Sequence, residues 1–312
     1  MRIVFMGTAK FGLLSLEALF KSHHSVEAVV TGPDRPKGRG LKLSPSPIKI
    51  FALEKDVSLL QPERLKDKEF VSTLGQIDPD LFVVVAFRIL PKEVFEIPPK
   101  GTINLHASLL PKYRGAAPIQ WAIMKGETKT GVTTFFIDER IDTGNLILQR
   151  EMEIGDDETA GQLHDRLALI GAEVLMETVE LIAQGKAVRI PQRDEEATPA
   201  PKLKKEDSCI DWSKKADDIR NMVRGMNPFP GAYSELNGRK IKVYKTSLVV
   251  SNGKGETTPG KVVTIDDTEG LIVSTGKGFL SLLEVQPEGK RRMSGPEFVR
   301  GYHVTVGERF GR

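Results

Sequence analysis

Residues Leu81–Ala86 constrain the fold of this chain more than any other stretch, because six consecutive residues there are apolar. A strand that is apolar on both faces must be covered on both faces, which is typical of a parallel sheet between layers of helices. Other strand-like runs alternate with segments of helical spacing, and they are Arg2–Met6, Val26–Val30, Leu59–Leu60, Thr102–Leu105, Val132–Phe136 and Leu146–Arg150. This alternation predicts an α/β fold with a doubly wound, mostly parallel sheet.

The alternation of strands and helices ends before residue 190. Residues 190–206 carry three prolines among charged residues and show no periodicity, which predicts an extended linker. Beyond it, short strand candidates are separated by glycine and asparagine, and Asn237-Gly238 is a strong hairpin signal. We therefore predict a first domain over 1–189, a linker over 190–206 and a small β-barrel of the OB type over 207–312.

Composition narrows the class of protein. Apolar residues make up 39% and charged residues 28% of the chain, and no run is long enough to span a membrane. Cys209 is the single cysteine, which excludes an internal disulfide framework and a multi-thiolate metal site. The N-terminus shows no signal-peptide pattern, so we expect a cytoplasmic protein without membrane contacts.

Asn104 and His106 are the first candidate catalytic residues. They lie at the carboxyl end of a predicted strand, where open α/β sheets bind ligands, and residues at i and i+2 of a strand point to the same side. An asparagine amide can donate to a developing oxyanion, and a histidine can exchange a proton near neutral pH. Taken alone, however, an Asn-x-His pattern more often forms a structural pair.

Asp142 is the third candidate, in the loop Asp142-Thr143-Gly144. Such a loop is usually only a turn. Placed near His106, the same carboxylate would orient the imidazole, favour its protonated form and order a water that accepts a proton. An amide, an imidazole and a carboxylate without an activated serine, a metal or a phosphate loop suit acyl transfer to an amine.

Several other kinds of active site are not supported, because the motifs that they need are missing from the sequence. The segment Gly7–Gly12 lacks the G-x-G-x-x-G spacing, and neither a P-loop nor a G-x-S-x-G motif occurs. The five histidines show no paired zinc spacing, so no metal is expected. His23 and His24 are expected on the surface at a helix end.

A long basic loop follows the second predicted strand. It spans residues 31–47, is rich in glycine, proline and serine, and carries Arg35, Lys37, Arg39 and Lys42 against the one acid Asp34. Its charge suits contacts with phosphates, although its composition fits a solvated loop equally well. Residues 203–312 are also basic, with 19 Lys and Arg against 14 Asp and Glu.

Taken together, these motifs make the chain resemble the methionyl-tRNA formyltransferases, essentially from end to end. The segments that carry the resemblance are Met6–Thr8, Pro33–Pro47, Asn104–Gln120, Asp142–Gly144 and Asn227–Ala232. The resemblance implies a first domain that binds 10-formyltetrahydrofolate and a C-terminal domain that helps bind initiator methionyl-tRNA.

The resemblance also implies roles for individual residues. It places the family's catalytic trio on Asn104, His106 and Asp142. It places folate contacts on Ser108, Leu109, Leu110 and Pro111, and contacts with the tRNA acceptor stem on Arg35, Lys37, Arg39 and Lys42. No metal is implied, and we expect the protein to act as a monomer.

One segment departs from the family pattern. Many members have Tyr-Gly where this chain has Phe87-Arg88, followed by Ile89-Leu90. This sequence looks more like the pteridine-pocket strand of the glycinamide ribonucleotide formyltransferases, and it predicts folate contacts by Phe87, Arg88 and Leu90. A formyltransferase acting on a small amine, either glycinamide ribonucleotide or an amino-sugar nucleotide, is therefore an alternative. A folate-responsive RNA-binding protein without catalysis is another.

Overall fold

The computed structural model of the protein describes residues 1–37, 42–249, 258–266 and 270–311. These residues separate into two units. The first unit contains Met1–Pro118, Lys129–Glu153 and His164–Pro201, and the second contains Ile119–Thr128, Ile154–Leu163 and Lys202–Arg312. None of the helices in these ranges is long and apolar enough to cross a lipid bilayer.

The described part of the first unit contains nine strands, of which β3 and β4 form a separate two-stranded sheet. The nine strands are β1 (Arg2–Gly7), β2 (Ser25–Val30), β3 (Arg35–Lys37), β4 (Lys42–Ser44), β5 (Ser58–Leu60), β6 (Leu81–Val85), β7 (Thr102–His106), β8 (Lys129–Phe136) and β9 (Leu146–Glu153). In the part of the chain that the structure describes, seven of these strands form one sheet in the order β5-β2-β1-β6-β7-β8-β9. The first five strands in this order, β5-β2-β1-β6-β7, pair in parallel. The pairs β7–β8 and β8–β9 are antiparallel.

Some of the helices in the described residues begin at a residue whose side chain caps them. The helices are α1 (Leu13–Phe20), α2 (Pro47–Glu54), α3 (Lys68–Gln76), α4 (Lys92–Phe95), α5 (Pro118–Met124), α6 (Ala160–Ala183), α7 (Ala216–Gly225) and α8 (Gly295–Tyr302). Ser46 caps α2 by accepting a hydrogen bond from the backbone N–H of Lys49, and Asp67 caps α3 in the same way through Glu69. Short 3₁₀ turns lie at Lys10–Gly12, Asp194–Glu196 and Glu206–Ser208.

The sheet buries the apolar run from which the fold was predicted. All five residues of β6 are buried, as the apolar pattern on both of its faces requires. One of its faces packs with β1, β2, α3 and α4, and the buried residues of this cluster include Val4, Met6, Val30, Phe70, Leu74, Phe82, Val84, Val94 and Phe95. This core holds the carboxyl ends of the parallel strands rigidly at one edge of the sheet.

The second unit is built on an antiparallel sheet. Its strands are β10 (Ala232–Leu236), β11 (Arg239–Val249), β12 (Val262–Asp266), β13 (Gly270–Ser274), β14 (Phe279–Pro287) and β15 (Met293–Ser294). They pair in the order β10-β11-β14-β13-β12, and β15 pairs with β14. Asn237 and Gly238 both have positive φ, 52° and 72°, between β10 and β11. The predicted two-residue hairpin turn is therefore confirmed.

Residues near the C-terminus join the two edges of this antiparallel sheet. Gly311 exchanges backbone hydrogen bonds with Glu235 on β10, and Val262 on β12 exchanges them with Glu308 and Gly307. The strands therefore close into a small barrel around the core of buried apolar residues. The prediction of a mostly parallel α/β domain followed by a small β-barrel is confirmed.

The predicted linker is divided between the two units. Residues 190–201 belong to the first unit, and residues 202–206 belong to the second. Ile190 exchanges backbone hydrogen bonds with Leu146 at the start of β9. The domain boundaries at residues 189 and 207 stay predictions, but the first part of this segment, residues 190–201, belongs to the first unit, which is called the catalytic unit below.

Candidate active site

Strand β7 positions the two residues of the Asn-x-His motif. Asn104 lies opposite Val84 on β6 and opposite Phe135 on β8, and His106 lies opposite Thr133 on β8. The motif therefore occupies the carboxyl end of an interior strand, with hydrogen-bonded neighbours on both sides. Because strand side chains alternate between faces, Asn104 and His106 point to the same side of the sheet.

His106 is buried and is held by the chain that follows it. Its Nε2 lies 2.9 Å from the backbone carbonyl of Tyr113, and only 7% of the side chain is exposed. A carbonyl oxygen can only accept a hydrogen bond, so Nε2 must carry a proton. The other ring nitrogen, Nδ1, lies 3.8 Å from Oδ2 of Asp142. Protonation of Nδ1 would therefore place a positive charge next to a carboxylate.

Asp142 has the geometry of a residue held in place by its surroundings. Its φ is 54°, in the left-handed region that residues other than glycine seldom adopt. Its Oδ2 accepts a 2.8 Å hydrogen bond from the backbone N–H of Gly115, and its side chain is 12% exposed. The next residue, Thr143, donates from its hydroxyl to Oδ1 of Asp138 at 2.6 Å. The loop thus directs one carboxylate oxygen toward both Gly115 and His106.

Asn104 is available for a ligand. Its side chain is half-buried, and its amide makes no hydrogen bond with any residue in the described ranges. The Asn104 amide is not among the buried unpartnered groups of the described residues, so its donors can reach solvent or a ligand. The structure therefore brings together Asn104, His106 and Asp142, the three residues that the sequence predicted as catalytic, and their roles stay predictions.

The predicted folate segment that follows β7 is anchored to β8. The hydroxyl of Ser108, which is fully buried, donates to the carbonyl of Lys112 at 2.6 Å. Thr133 on β8 donates to the carbonyl of Ser108 at 2.6 Å and accepts from the N–H of Leu110 at 3.1 Å. The hydroxyl of Ser108 is therefore already engaged in a hydrogen bond within the protein.

Leu110 is also used inside the protein, where it packs with Phe135 and Leu146. Leu109 and Pro111 are only half-buried. All four residues of the segment lie next to the Asn-x-His motif, and their contact with folate stays a prediction. Any such contact by Ser108 or Leu110 would come from the backbone rather than from their side chains.

Two polar residues on the antiparallel edge support this segment, and the sequence analysis did not identify them. Thr133 on β8 lies opposite Gln149 on β9, and the amide of Gln149 donates to the hydroxyl of Thr133 at 3.0 Å and to the carbonyl of Leu110 at 2.8 Å. Strand β8 also contains Thr130 and Thr134, so its local pattern does not single out Thr133.

A cleft of about 530 Å³ lies beyond the carboxyl end of β6. It is lined by Leu65, Lys66, Arg88, Ile89, Leu90, Pro91, Lys92, Glu93, Phe95 and Glu139. Two of the three residues predicted here, Arg88 and Leu90, therefore line a cavity large enough for a small organic ligand. Phe87 is half-buried next to them, and its ring lies 5.2 Å from the guanidinium of Arg88.

Arg88 is held by hydrogen bonds to the backbone that precedes α3. Its two terminal nitrogens donate to the carbonyls of Glu63 at 3.1 Å and Pro62 at 2.8 Å. Burial, followed by the positive charge of Arg35, lowers the pKa of Arg88. Its Nε is buried and has no hydrogen-bond partner among the described residues. Such an unpaired donor is unusual in a native structure and fits a site that a polar ligand completes.

The basic loop contains a short hairpin formed by β3 and β4. The side chain of Arg35 is exposed, whereas Lys37 and Lys42 lie on the paired strands and Arg39 lies outside the described residues. At the base of the hairpin, Asp34 accepts from Nζ of Lys49 at 2.7 Å, and this bond is the main reason that the pKa of Asp34 is lowered. Contact of the hairpin with tRNA stays a prediction.

The expectation that His24 lies on the surface was wrong. Its side chain is 1% exposed, and its Nε2 lies 3.0 Å from a carboxylate oxygen of Glu180, whereas His23 is exposed. The amino group of Met1 lies 3.2 Å from Nδ1 of His24. Burial is the main reason that the pKa of His24 is lowered, and the positive charge at Met1 adds to it. The positive charge of the Met1 amino group would also disfavour the binding of a metal cation by His24 and Glu180.

Comparisons with known proteins match the chain over its length. The formyl transferase family model matches residues 1–179, and the model of the formyl transferase C-terminal domain matches residues 202–303. The chain is 50% identical to the methionyl-tRNA formyltransferase of Acetivibrio thermocellus and 45% identical to that of Ruminiclostridium cellulolyticum, and both matches cover 100% of each chain.

Solved structures of low sequence identity share the fold. An N-formyltransferase from Helicobacter canadensis, crystallised with folinic acid and dTDP-3-aminofucose, superposes with a TM-score of 0.64 at 21% identity. That match covers 90% of this chain and 98% of the other. The two family models and the full-length identities show that the chain belongs to the family of the methionyl-tRNA formyltransferases.

Proposed function

We propose that this protein transfers the formyl group of 10-formyltetrahydrofolate to the α-amine of initiator methionyl-tRNA, giving formylmethionyl-tRNA for translation initiation. The main support for the proposal is that Asn104, His106 and Asp142 lie together at the carboxyl end of β7. The 50% identity to a methionyl-tRNA formyltransferase over the whole chain supports this acceptor rather than a smaller amine.

The three side chains suit this acyl transfer. The neutral amine adds to the formyl carbon, so that a new C–N bond forms while the carbonyl oxygen becomes an oxyanion. The amide of Asn104 and a positively charged His106 would stabilise that oxyanion. Because Nε2 of His106 is engaged by the carbonyl of Tyr113, the proton on Nδ1 is the one available to the oxyanion or to Asp142.

Proton movement completes the reaction. The attacking amine must lose a proton, and the carboxylate of Asp142 can accept it through a water. The bond between the formyl carbon and N10 then breaks, and N10 takes up a proton to give tetrahydrofolate. Asp142 also orients His106 while this exchange takes place. No step requires a metal or a covalent intermediate on the enzyme.

The cleft beyond β6 is the proposed site of the folate ring. Phe87, Arg88 and Leu90 would hold the ring there, and the unpaired Nε of Arg88 offers it a hydrogen-bond donor. The segment Ser108–Pro111 would lie along the folate between this cleft and the Asn-x-His motif. Folate is consumed here as a co-substrate.

Replacing Arg88 with methionine is expected to weaken tetrahydrofolate binding by about tenfold, which corresponds to about 1.4 kcal/mol. Methionine keeps the apolar bulk but loses the donors to Pro62 and Glu63 and the free Nε donor. Calorimetric titration with tetrahydrofolate measures the effect, and Lys100→Met provides a control at an exposed position of the same unit. Unchanged affinity of Arg88→Met would remove Arg88 from the folate site.

Neutralising Arg39 and Lys42 with glutamine is expected to weaken tRNA binding and flatten its salt dependence. For each phosphate that is no longer neutralised, the slope of log K against log salt should become shallower by about 0.7 to 0.9. Filter binding of initiator tRNA between low and moderate salt measures this slope. The double exchange Lys21→Gln with Arg64→Gln, at exposed positions outside the basic loop, removes the same charge and should leave the slope unchanged. An unchanged slope in the variant with Arg39→Gln and Lys42→Gln would show that these two residues of the basic loop do not bind phosphates.

One assay separates the proposed function from its alternatives. Formyl-labelled 10-formyltetrahydrofolate is incubated with the protein and with initiator methionyl-tRNA, glycinamide ribonucleotide or an amino-sugar nucleotide. We expect rapid transfer to the tRNA alone. Preferential transfer to either small amine would assign the protein to another formyltransferase, and absence of transfer to all three would favour a binding protein.

The proposed acceptor also indicates the cellular compartment in which the reaction takes place. Because aminoacylated initiator tRNA is used by ribosomes, we propose that the protein works in the cytoplasm. We further propose that it acts as a monomer, since each chain carries the whole Asn104, His106 and Asp142 group. Sedimentation at micromolar concentration would test the second statement.

A further inference from the structure

The side chain of Gln192 joins two segments of the catalytic unit that are far apart in sequence. Its Nε2 donates to the backbone carbonyls of Asp142 at 2.9 Å and Gly144 at 2.8 Å. Its Oε1 accepts from Nε of Arg114 at 3.1 Å and from Nη2 of Arg114 at 2.8 Å. An amide has two N–H donors and one oxygen with two lone pairs, so Gln192 uses its full hydrogen-bonding capacity here.

The segment that carries Gln192 is fixed at both ends. Ile190 exchanges backbone hydrogen bonds of 2.8 and 3.0 Å with Leu146. Farther along, the N–H of Arg114 donates to the carbonyl of Thr198 at 2.9 Å, and the N–H of Ala200 donates to the carbonyl of Arg114 at 2.7 Å. Residues 190–200 therefore form a strap across the catalytic unit rather than a free linker.

Arg114 is also fixed independently of Gln192. Its side chain is 14% exposed, and its Nη2 lies 2.9 Å from Oδ1 of Asp194 on the strap. The hydrogen bond from Arg114 is the main reason that the pKa of Asp194 is lowered. The Arg114 guanidinium is thus held by two residues of the strap, and it orients the amide of Gln192 in turn.

The two segments that Gln192 joins contact opposite nitrogens of His106. The residues on either side of Arg114 are Tyr113, whose carbonyl lies against Nε2 of His106, and Gly115, whose N–H binds the carboxylate of Asp142. Asp142 itself faces Nδ1 of His106. Both Tyr113 and Asp142 have left-handed backbone conformations, with φ of 61° and 54°. Such conformations persist only where surrounding contacts hold them.

We propose that Gln192 is a positioning residue that sets the distance between Asp142 and His106 by joining the Asp142–Gly144 loop to Arg114. It acts through Asp142 and touches neither the folate nor the acceptor. The inference rests on the proposed function, because it matters only if Asp142 and His106 take part in the transfer. It extends the catalytic machinery to a segment of the chain that has no periodic pattern and no recognisable motif.

The isosteric variant Gln192→Glu tests the proposal. A glutamate keeps the volume of the side chain and the acceptor for Arg114, but it places an anionic oxygen where Nε2 now donates to two carbonyls. We expect kcat to fall by about 10- to 100-fold, the loss typical of a displacement on the order of 1 Å in an active site. The KM values for folate and for tRNA should stay within about threefold. The control Glu195→Gln, at an exposed neighbouring position of the strap, should leave all three constants unchanged.

A double-mutant cycle shows whether Gln192 acts through Asp142. If it does, Gln192→Glu should lower kcat strongly in the native background and hardly at all in the Asp142→Asn background, because the coupled residues act as one unit. Independent losses that multiply in the double variant would overturn the proposal. The pH profile of kcat/KM should also change in Gln192→Glu and stay unchanged in Glu195→Gln.

Thermal unfolding of each variant separates misfolding from mispositioning. Turnover is measured at least 15 °C below the lowest melting temperature, and Gln192→Asn, whose shorter amide cannot reach both carbonyls, serves as a second variant. Normal turnover of both Gln192 variants beside an impaired Asp142→Asn would overturn this inference and leave the proposed function intact. Normal turnover of Asp142→Asn would instead contradict the role of Asp142 in the proposed function.

Discussion

Replacing Asn104 or His106 with alanine is expected to lower kcat by about 100- to 1000-fold, the loss typical of removing one donor from an oxyanion site. Both residues lie on the interior strand β7, where neighbouring strands fix the backbone, so the exchange removes the side chain without moving the site. Folate affinity should change much less. Single-turnover transfer to initiator methionyl-tRNA measures the chemical step directly.

Two further variants sharpen this first prediction. Asn104→Asp keeps the size of the side chain but replaces the N–H donors with an anionic oxygen that would repel the oxyanion, so it should be impaired at least as strongly as Asn104→Ala. His23→Ala is a matched control at an exposed histidine and should leave turnover unchanged. Near-normal turnover of His106→Ala would show that the imidazole does not serve the reaction.

Replacing Gly144 with alanine is expected to lower the free energy of unfolding by about 2–4 kcal/mol. The added methyl group would press against backbone atoms of a strand, which cannot move aside as a flexible side chain can. A Cβ at this position would overlap the carbonyl oxygen of Phe136, the last residue of β8. The loop must therefore move, and Asp142 would move with it. We expect a lower melting temperature together with a large loss of kcat.

Gly75→Ala is the matched control for this second prediction. Gly75 lies in α3, and a Cβ there would meet no atom within 4 Å. The same exchange should therefore be neutral or stabilise the protein by about 0.5 to 1 kcal/mol, because alanine favours the helix. If Gly144→Ala melted at the temperature of the unchanged protein, the close approach of Gly144 to Phe136 would not constrain the loop.

Several local features could be predicted from the sequence because each depends on neighbouring residues. The apolar run at Leu81–Ala86 could only be a strand covered on both faces, and it forms the buried strand β6. Asn237-Gly238 is suited to two successive positive φ angles and forms the hairpin turn. The capping box of α8, formed by Ser294 and Glu297, was equally visible as a Ser-x-x-Glu pattern, and it was overlooked.

The residues that support the site could not be predicted in this way. Gln192 lies in a stretch without periodicity, and its partners Asp142 and Arg114 are 50 and 78 positions away in the chain. No local pattern encodes such a contact. The burial of His24 was missed for the same reason, because its partner Glu180 lies on the distant helix α6.

The sequence by itself determined where most strands lie along the chain and that Asn104 and His106 share one face of a strand, because strand periodicity and turn chemistry act over a few residues. Only the tertiary structure decided that Asp142 faces His106 and that a segment predicted to be an extended linker donates hydrogen bonds to the Asp142 loop. The physical reason is that irregular segments have no preferred local conformation, so the hydrogen bonds available in the folded protein determine where they lie.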